Sequence, residues 1–283
     1  MQIVETIAEV RRAVGKAKAE VKKVGLAPTM GAFHAGHIEL MRTARRECGF
    51  VIVSVFVNPA QFAPSDDFGR YPRDLEADAE IAKTESVDLI FAPSATEIYP
   101  EGFDTYVEVG KLGRILEGAS RPGHFRGVAT VVAKLFGIVS PDTAYFGMKD
   151  YQQLRVIQKM VSDLDFAVEI VPCPTVREPD GLAMSSRNAY LSKDERAAAV
   201  VLYRALEFAE ERARAGERNA EALRSEAQRL IESDPLACVD YVAVVDPETL
   251  EPVERVGESV VIALAVRIGD TRLIDNTLIE VGG

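Results

Sequence analysis

The chain has 283 residues, of which 47% are hydrophobic and 27% are charged, and its formal net charge is −11 at pH 7. This length exceeds the ~100–150 residues of a typical single domain, so we expect one larger and one smaller domain. The negative charge disfavours partners such as nucleic acids and anionic membranes, and any anionic ligand must be held by a local cluster of donors.

The cysteines and the apolar segments narrow the class of protein further. Cys48, Cys173 and Cys238 are odd in number and far apart, which favours neither a disulfide framework nor a zinc site. No apolar stretch approaches the ~20 residues that span a bilayer, and the first residues include acids that do not fit a signal peptide. We therefore expect a cytoplasmic protein without a membrane partner.

From the N-terminus onwards, helical and strand patterns alternate. Thr6 and Glu9 form a capping box ahead of a helix that runs to about Lys18, and residues 24–27 predict a buried strand that Pro28 ends. The further predicted elements of this part are helices over 38–48, 75–86, 128–139 and 153–164 and strands over 50–57, 88–91 and 143–146. The alternation predicts an α/β fold with a Rossmann-like parallel sheet and helices on both faces.

After about residue 174 the pattern changes. Ser192 and Glu195 cap one long helix that runs to about residue 215, and a second helix and strands over 239–245 and 259–268 follow. We therefore predict a Rossmann-like ligand-binding domain over 1–175. We predict a smaller α+β domain over 176–283, which covers the active site.

The segment PTMGAFHAGH, residues 28–37, joins the first buried strand to the next helix, where an α/β sheet usually binds its ligand. Gly31 and Gly36 permit close backbone approach, and the helix that begins near Gly36 directs free amides toward a phosphate. His34 and His37 are three residues apart and can donate to one phosphate. Since the chain has only three histidines, this pair favours a functional loop over a packing turn, and a zinc site would need further ligands.

Two other segments carry cations. In DGLAMSSRN, residues 180–188, the two serines and Arg187 can form an anion clamp, although a solvated turn before the next helix has the same composition. In FGMKDYQQ, residues 146–153, Lys149 supplies a point charge and Asp150 can accept from a ribose or orient the lysine. Gln152 and Gln153 would begin a helix with amides free for a polar substrate, although a lysine–aspartate pair is usually only solvated.

Two neutral or mixed segments complete the set. FVNPAQF, residues 56–62, places Asn58 and Gln61 after a buried strand, where their amides suit a small hydroxy acid, although an ordinary Asn-Pro turn looks the same. Residues 119–136 place Arg121, His124 and Arg126 on a loop before a helix. Gly123 and Gly127 in that loop would permit movement and predict a mobile flap, and the alternative is a helix-capping loop.

Together, in this order and spacing, these segments resemble the pantothenate synthetase family of the nucleotidylyltransferase superfamily, whose HxGH loop is shared with class I aminoacyl-tRNA synthetases. The resemblance also includes YPR at 71–73, RPGHFRGV at 121–128 and RLIDN at 272–276, so it covers nearly the whole chain. HxGH alone indicates only nucleotidyl transfer. FVNPAQF with GMKDYQQ and GLAMSSRN is specific to this family.

The resemblance implies an ATP-dependent condensation of (R)-pantoate with β-alanine that yields pantothenate, AMP and pyrophosphate through a pantoyl-adenylate. It also implies Mg²⁺ and a homodimer. The larger domain would then bind the nucleotide and pantoate.

Residue by residue, the resemblance implies that His37 is the catalytic proton donor and that Gln61 and Gln153 hold pantoate. Arg121 and His124 match positions near the second substrate. No residue is assigned as a metal ligand, although Asp78 falls where a magnesium-associated acid is expected. The implied ATP-binding residues are Met30, Gly31, Ala32, Phe33, His34, Ala35, Gly36, His37, Gly147, Met148, Lys149, Asp150, Val176, Met184, Ser185, Ser186 and Arg187.

The chain departs from the family pattern in few places. Phe33 stands where Leu is common, Met148 where Glu is common, and Asp66 with Asp67 where Glu-Asp is usual. The first departure can reshape the adenine pocket, and the second removes one acid from a site for a triphosphate.

Two other functions stay open at this point. A different nucleotidyltransferase, such as a cytidylyltransferase, would share the histidine loop but release no AMP. A nucleotide-sensing module would bind ATP without turnover, yet it would not need Gln61 and Gln153. Nucleic-acid binding fits poorly with an acidic chain that lacks a basic stripe.

Overall fold

The structure, a computed structural model, describes residues 1–63 and 67–281, so Asp66 lies outside the described residues. The chain divides into two compact units. The first comprises Met1–Met148 and Gln152–Pro174, and the second comprises Lys149–Tyr151 and Thr175–Gly283.

The first unit contains a parallel sheet with helices around it. Its strands are β1 (Gln2–Val4), β2 (Val24–Thr29), β3 (Phe50–Val55), β4 (Leu89–Phe91), β5 (Thr143–Gly147) and β6 (Glu169–Cys173). Its helices are α1 (Ile7–Ala19), α2 (Ala35–Glu47), α3 (Leu75–Thr84), α4 (Ala95–Ile98), α5 (Glu117–Ser120), α6 (His124–Val139) and α7 (Tyr151–Asp163), the last of which begins at a residue grouped with the second unit.

The strand order is β1-β4-β3-β2-β5-β6, and all the pairings are parallel. β2 lies between β3 and β5, so the order reverses beside it, and ligands bind at such a switch point in open α/β sheets. Side chains of α1, α6 and α7 pack on one face of the sheet, and side chains of α2 and α3 pack on the other. This arrangement confirms the predicted Rossmann-like fold.

Several predicted boundaries in this part of the chain were wrong. β2 continues through Pro28, which pairs with Ser54 of β3. Because β2 pairs with β5 only at Gly25 and Leu26, the strand has a neighbour on one side alone at Pro28, where a missing N–H is tolerated. Helix α6 begins at His124 rather than at residue 128, and α7 begins two residues earlier than predicted.

The second unit is an α+β arrangement. Its helices are α8 (Lys193–Ala198), α9 (Val201–Arg214) and α10 (Ala220–Glu232), and its strands are β7 (Ala237–Val245), β8 (Ser259–Ile268) and β9 (Thr271–Glu280). The strands form an antiparallel sheet in the order β7-β8-β9. Leucine, valine and isoleucine side chains of the sheet and of α9 and α10 form its core.

The capping boxes predicted at Thr6–Glu9 and Ser192–Glu195 are both present. The single long helix predicted after Ser192 was wrong, because α8 and α9 are separate. Between them the N–H of Leu202 donates to the carbonyl of Ala199, so the backbone tightens into a turn with an i+3 bond. Among residues 1–63 and 67–281, the helices do not combine the length and the apolar run needed to cross a membrane.

Candidate active site

The loop that follows β2 has a constrained backbone. The Thr29 hydroxyl donates to the carbonyl of Ser54 (2.6 Å) and accepts the N–H of Gly31 (3.2 Å). Gly31 has φ +86° and Ala32 has φ +55°. A Cβ on Gly31 would lie 2.9 Å from Oδ2 of Asp78, so this position requires glycine for both its φ and its space.

Asp78 of α3 is hydrogen-bonded to the backbone of this loop. Its carboxylate is buried and accepts the backbone N–H groups of Ala32 (2.9 Å) and Phe33 (2.7 Å), one on each oxygen. Burial raises the pKa of Asp78 above its ordinary value, and the two N–H donors oppose that shift. The carboxylate therefore stabilises the loop backbone, whereas the resemblance implied a position near a magnesium ion.

His34 and His37 lie together at the start of α2. His34 is the N-cap residue; its Nδ1 accepts the N–H of Gly36 (3.1 Å), and its own N–H donates to Nδ1 of His37 (3.3 Å). The ring centroids are 4.1 Å apart. Because both Nδ1 atoms accept, each neutral ring carries its proton on Nε2 and presents that atom as a donor.

Gln61 lies in the segment after β3 and is buried. Its Oε1 accepts from Nδ2 of Asn58 (3.0 Å), and its Nε2 donates to Sδ of Met30 (3.2 Å). The structure thus brings a predicted pantoate residue against a predicted ATP residue.

Asn58 in turn accepts from the Tyr99 hydroxyl (2.8 Å) and donates to the carbonyl of Gly127 (3.1 Å). Burial raises the pKa of Tyr99, so it stays a protonated donor. Tyr99 was not among the predicted site residues, and Asn58 was predicted only as an amide that suits a small hydroxy acid. The FVNPAQF motif pointed to Asn58, whereas Tyr99 belongs to none of the motifs quoted above.

Arg121 and His124 contact the same segment. Nδ1 of His124 lies 2.8 Å from the carbonyl oxygen of Gln61, and Nε2 lies 3.2 Å from Nη1 of Arg121. Since the carbonyl can only accept and the guanidinium can only donate, the His124 proton belongs on Nδ1. This tautomer is the opposite of that in His34 and His37.

The loop predicted before α6 differs from expectation. His124 and Arg126 lie in the first turn of α6, and the Arg126 guanidinium stacks over the Tyr106 ring at 4.1 Å. A Cβ on Gly127 would lie 2.2 Å from the carbonyl oxygen of Ala60. Gly127 is therefore a close-packing residue that seats the Gln61 segment, and the prediction that it permits movement was wrong.

The segment after β5 holds several predicted residues. β5 ends at Gly147 in the first unit, and Lys149 and Asp150 are grouped with the second unit. Nζ of Lys149 lies 3.5 Å from Oδ1 of Asp150, and the Lys149 side chain is 19% exposed.

The amide of Gln152 was predicted to be free, and this prediction was wrong. The amide donates to the carbonyls of Leu112 (2.8 Å) and Ile115 (2.7 Å) and accepts the N–H of Glu117 (3.0 Å). Gln153, the predicted pantoate residue, is half-buried in the same turn of α7.

In the second unit, the predicted anion clamp is a structured turn rather than a loop. The N–H of Met184 donates to the carbonyl of Val176 (2.9 Å), so these two predicted ATP residues are paired through their backbones. The Ser185 hydroxyl accepts the N–H of Arg187 (3.3 Å) and caps a 3₁₀ helix over Ser186–Tyr190.

An ion pair anchors the segment that leads into this turn. Arg177 binds both carboxylate oxygens of Asp275 (2.6 and 3.1 Å) and donates to the carbonyl of Gly181 (3.1 Å). The Asp275 side chain is 1% exposed. Arg177 and Asp275 were missed as supporting residues, although RLIDN had marked Asp275 as part of a family motif.

Over residues 1–63 and 67–281 there is no group of three or more His, Cys, Asp or Glu side chains that could hold a metal ion. Asp78 directs one carboxylate oxygen at each of the backbone N–H groups of Ala32 and Phe33.

Comparison with known proteins gives a consistent result. The family model described as pantoate-beta-alanine ligase matches residues 2–278. A pantothenate synthetase of Roseiflexus castenholzii is 55% identical over 280 residues, which are 99% of this chain and 100% of the relative.

Solved structures agree with the sequence relatives. The pantothenate synthetase of Thermus thermophilus superimposes with a TM-score of 0.94 at 50% identity and full coverage of both chains. A pantoate-beta-alanine ligase of Francisella tularensis, complexed with beta-gamma ATP and beta-alanine, has a TM-score of 0.81 at 37% identity over 98% of this chain and 97% of its own.

Proposed function

Because the chain belongs to the pantoate–β-alanine ligase family, we propose that it condenses (R)-pantoate with β-alanine in an ATP-dependent reaction through a pantoyl-adenylate. The family match over residues 2–278 and the ATP and β-alanine named for the Francisella structure support this reaction. The observation that carries the ATP site is the His34–His37 pair, which presents two Nε2 donors at the start of α2.

In the first step, a pantoate carboxylate oxygen attacks the α-phosphorus of ATP. A new carboxyl oxygen–phosphorus bond forms, the bond between the α-phosphorus and its bridging oxygen breaks, and pyrophosphate leaves. Negative charge therefore grows on the bridging and phosphate oxygens, and donors aimed at them lower the barrier. His34 and His37 supply those donors from Nε2, and the amide end of α2 adds a positive dipole. His37 donates to the leaving group.

In the second step, the β-alanine amine attacks the acyl carbon of the mixed anhydride. A C–N bond forms, the bond from carbon to the phosphate oxygen breaks, AMP leaves, and the amine loses a proton. Arg121 can bind the β-alanine carboxylate, since a guanidinium suits a carboxylate, and His124 orients Arg121 through their hydrogen bond.

Gln61 and Gln153 hold pantoate in this proposal. The Nε2 of Gln61 donates to a methionine sulfur, which is a weak acceptor, so a substrate oxygen can replace that partner at little cost. The Oε1 of Gln61 stays bonded to Asn58 and keeps the amide oriented. Uncharged donors of this kind suit the hydroxyl and carboxylate groups of pantoate.

The remaining proposed ATP-binding residues are those named by the family resemblance. Lys149 supplies a point charge for phosphate, and Arg187 supplies a planar guanidinium that binds phosphate bidentately. Ser185 and Ser186 add neutral donors, and Val176 and Met184 contribute the apolar contacts. Mg²⁺ accompanies ATP in this proposal, because the phosphates supply the oxygen ligands that it prefers.

The assembly and compartment belong to the same proposal. The enzyme forms a homodimer, as the resemblance implies, and light scattering of the purified chain tests this. The protein acts in the cytoplasm. Its Cys48, Cys173 and Cys238 are free thiols in the described part of the chain, which suits a reducing compartment.

The test is to measure AMP and pyrophosphate release from purified protein with MgATP, adding pantoate and β-alanine separately and then together. AMP that forms only with both substrates supports the ligase. Pyrophosphate without AMP, in the presence of a phosphorylated alcohol, would point to a nucleotidyltransferase instead. ATP binding with no product under any combination would make the protein a nucleotide sensor.

A further inference from the structure

Asn276, the last residue of the RLIDN segment, has no part in the chemistry described above. It lies in β9 and is buried, and its Nδ2 donates to the backbone carbonyl of Lys149 at 2.7 Å. These two residues are separated by 127 positions in the sequence and belong to the same compact unit. A buried side-chain amide thus meets the main chain of a proposed ATP-binding residue.

Asn276 is itself held firmly. Its N–H donates to Oδ1 of Asp275 (2.8 Å), and its carbonyl accepts from Nη2 of Arg177 (3.3 Å). It also pairs with Ala263 of β8 in the sheet. Because its backbone is fixed on these sides, the amide can act as a rigid donor rather than follow the movements of Lys149.

The carbonyl that receives this bond belongs to a short irregular turn. Lys149 lies in the 3₁₀ turn Met148–Asp150 between β5 and α7. The orientation of its peptide sets the direction in which its Cα–Cβ bond leaves the backbone. A hydrogen bond to that peptide therefore constrains where the Lys149 side chain leaves the backbone, without touching the ammonium itself.

We propose that Asn276 is a positioning residue of the ligase, which aligns Lys149 for ATP through the Lys149 carbonyl. This proposal rests on the proposed role of Lys149 in binding ATP. It assigns a function to the RLIDN segment, and it makes the Arg177–Asp275 ion pair the support of that function, since the pair fixes the backbone of Asn276.

The experiment compares Asn276→Ala with Thr277→Val. Thr277 is the next residue of β9, and its hydroxyl donates to Oε2 of Glu210 (3.1 Å), so T277V also removes one side-chain hydrogen bond but none to Lys149. We expect N276A to raise the KM for ATP or lower the adenylation rate by roughly tenfold, the equivalent of one lost hydrogen bond. We expect T277V to leave both unchanged, while the two variants melt at similar temperatures.

A double-mutant cycle with Lys149→Ala separates this inference from the proposal that it rests on. If Asn276 acts through Lys149, N276A costs little further activity in the K149A background, because coupled residues are not additive. Additive losses, or an N276A enzyme with the ATP kinetics of T277V, would overturn the positioning role. If K149A itself kept wild-type ATP kinetics, the proposed role of Lys149 would be the statement that fails.

A folding defect would not block the test. Should N276A be recovered only in unfolded form, Asn276→Ser leaves a smaller gap and still cannot reach the Lys149 carbonyl. The same comparison with T277V and the same cycle with K149A then apply, with the same expected and contradicting results.

Discussion

The histidine loop of the first unit and the serine–arginine turn of the second present phosphate-binding side chains in the proposed function, but they are supported differently. The backbone N–H groups of the histidine loop donate to the Asp78 carboxylate and to the Nδ1 atoms of the two histidines. The segment that leads into the serine–arginine turn is anchored by an ion pair between Arg177 and the nearly fully buried carboxylate of Asp275. Loss of the first support should mainly change function, and loss of the second should first change stability.

The largest effect is expected for Asp275→Ala. It leaves the Arg177 guanidinium without its buried partner, and breaking such a pair costs about 3–5 kcal/mol. Denaturant unfolding of the variant would measure this loss. The matched control is the double variant R177M/D275L, which removes both charges and should recover part of the loss. If D275A were as stable as the wild type, the Arg177–Asp275 ion pair would not be a support of stability, and the contrast with the histidine loop would be wrong.

His37→Ala should have an effect nearly as large as that of Asp275→Ala, but mainly on activity rather than on stability. Removing one transition-state donor of this kind costs about 3–4 kcal/mol, so the single-turnover rate of adenylate formation should fall by roughly two to three orders of magnitude. The melting temperature should fall only slightly, because His37 is half-buried and the lost bond from the His34 N–H to its Nδ1 is worth about 1 kcal/mol. An unaltered single-turnover rate would remove His37 from the proposed chemistry.

Asp78→Asn tests the support of the histidine loop. The amide has one acceptor oxygen for the two N–H groups of Ala32 and Phe33, and its own NH₂ would face the other N–H. A charge-assisted bond is worth about 1.5–3 kcal/mol, so kcat/KM for ATP should fall by roughly 10- to 100-fold.

Asp74→Asn is the matched control for D78N. Asp74 caps the same helix from an exposed position, and an asparagine can accept the N–H of Ala77 in its place. Equal losses in the two variants would mean that helix α3, rather than the bond to the loop, is what matters.

The smallest expected effect is a pH dependence of stability. Because burial raises the pKa of Asp78, the folded protein binds this proton more tightly than the unfolded chain. The contribution to stability is therefore fully present below the unfolded-state pKa and is lost as pH rises through the folded-state pKa. The melting temperature of the wild type relative to D78N should be higher in acid than at neutral pH. The opposite trend would show that the two N–H donors outweigh burial.

Much of the first unit could be predicted because its patterns are local. The Thr6–Glu9 capping box, the alternation of helices and buried strands, and the spacing of His34 and His37 each depend on residues a few positions apart. The helix boundaries at His124 and Tyr151 were displaced because single-residue start signals are weak there.

The hydrogen-bond partners of the polar side chains could not be predicted in the same way. Gln152 and Gln153 are adjacent and identical in type, yet the amide of Gln152 is used by the backbone of residues 112–117. Gly127 looks like a hinge in the sequence, and only the approach of Ala60 shows that it is a packing position. Such contacts join residues that are far apart in the chain.

The sequence by itself determined the α/β class, the motifs of the family and the placement of the histidine pair at a helix start, because these depend on short-range periodicity and on residue type. Only the tertiary structure decided which groups support them. Asp78 bonds a loop 45 positions earlier, and Asn276 bonds a residue 127 positions away. Such pairs arise when the sheets bring distant segments together, and a pattern of neighbouring residues does not encode them.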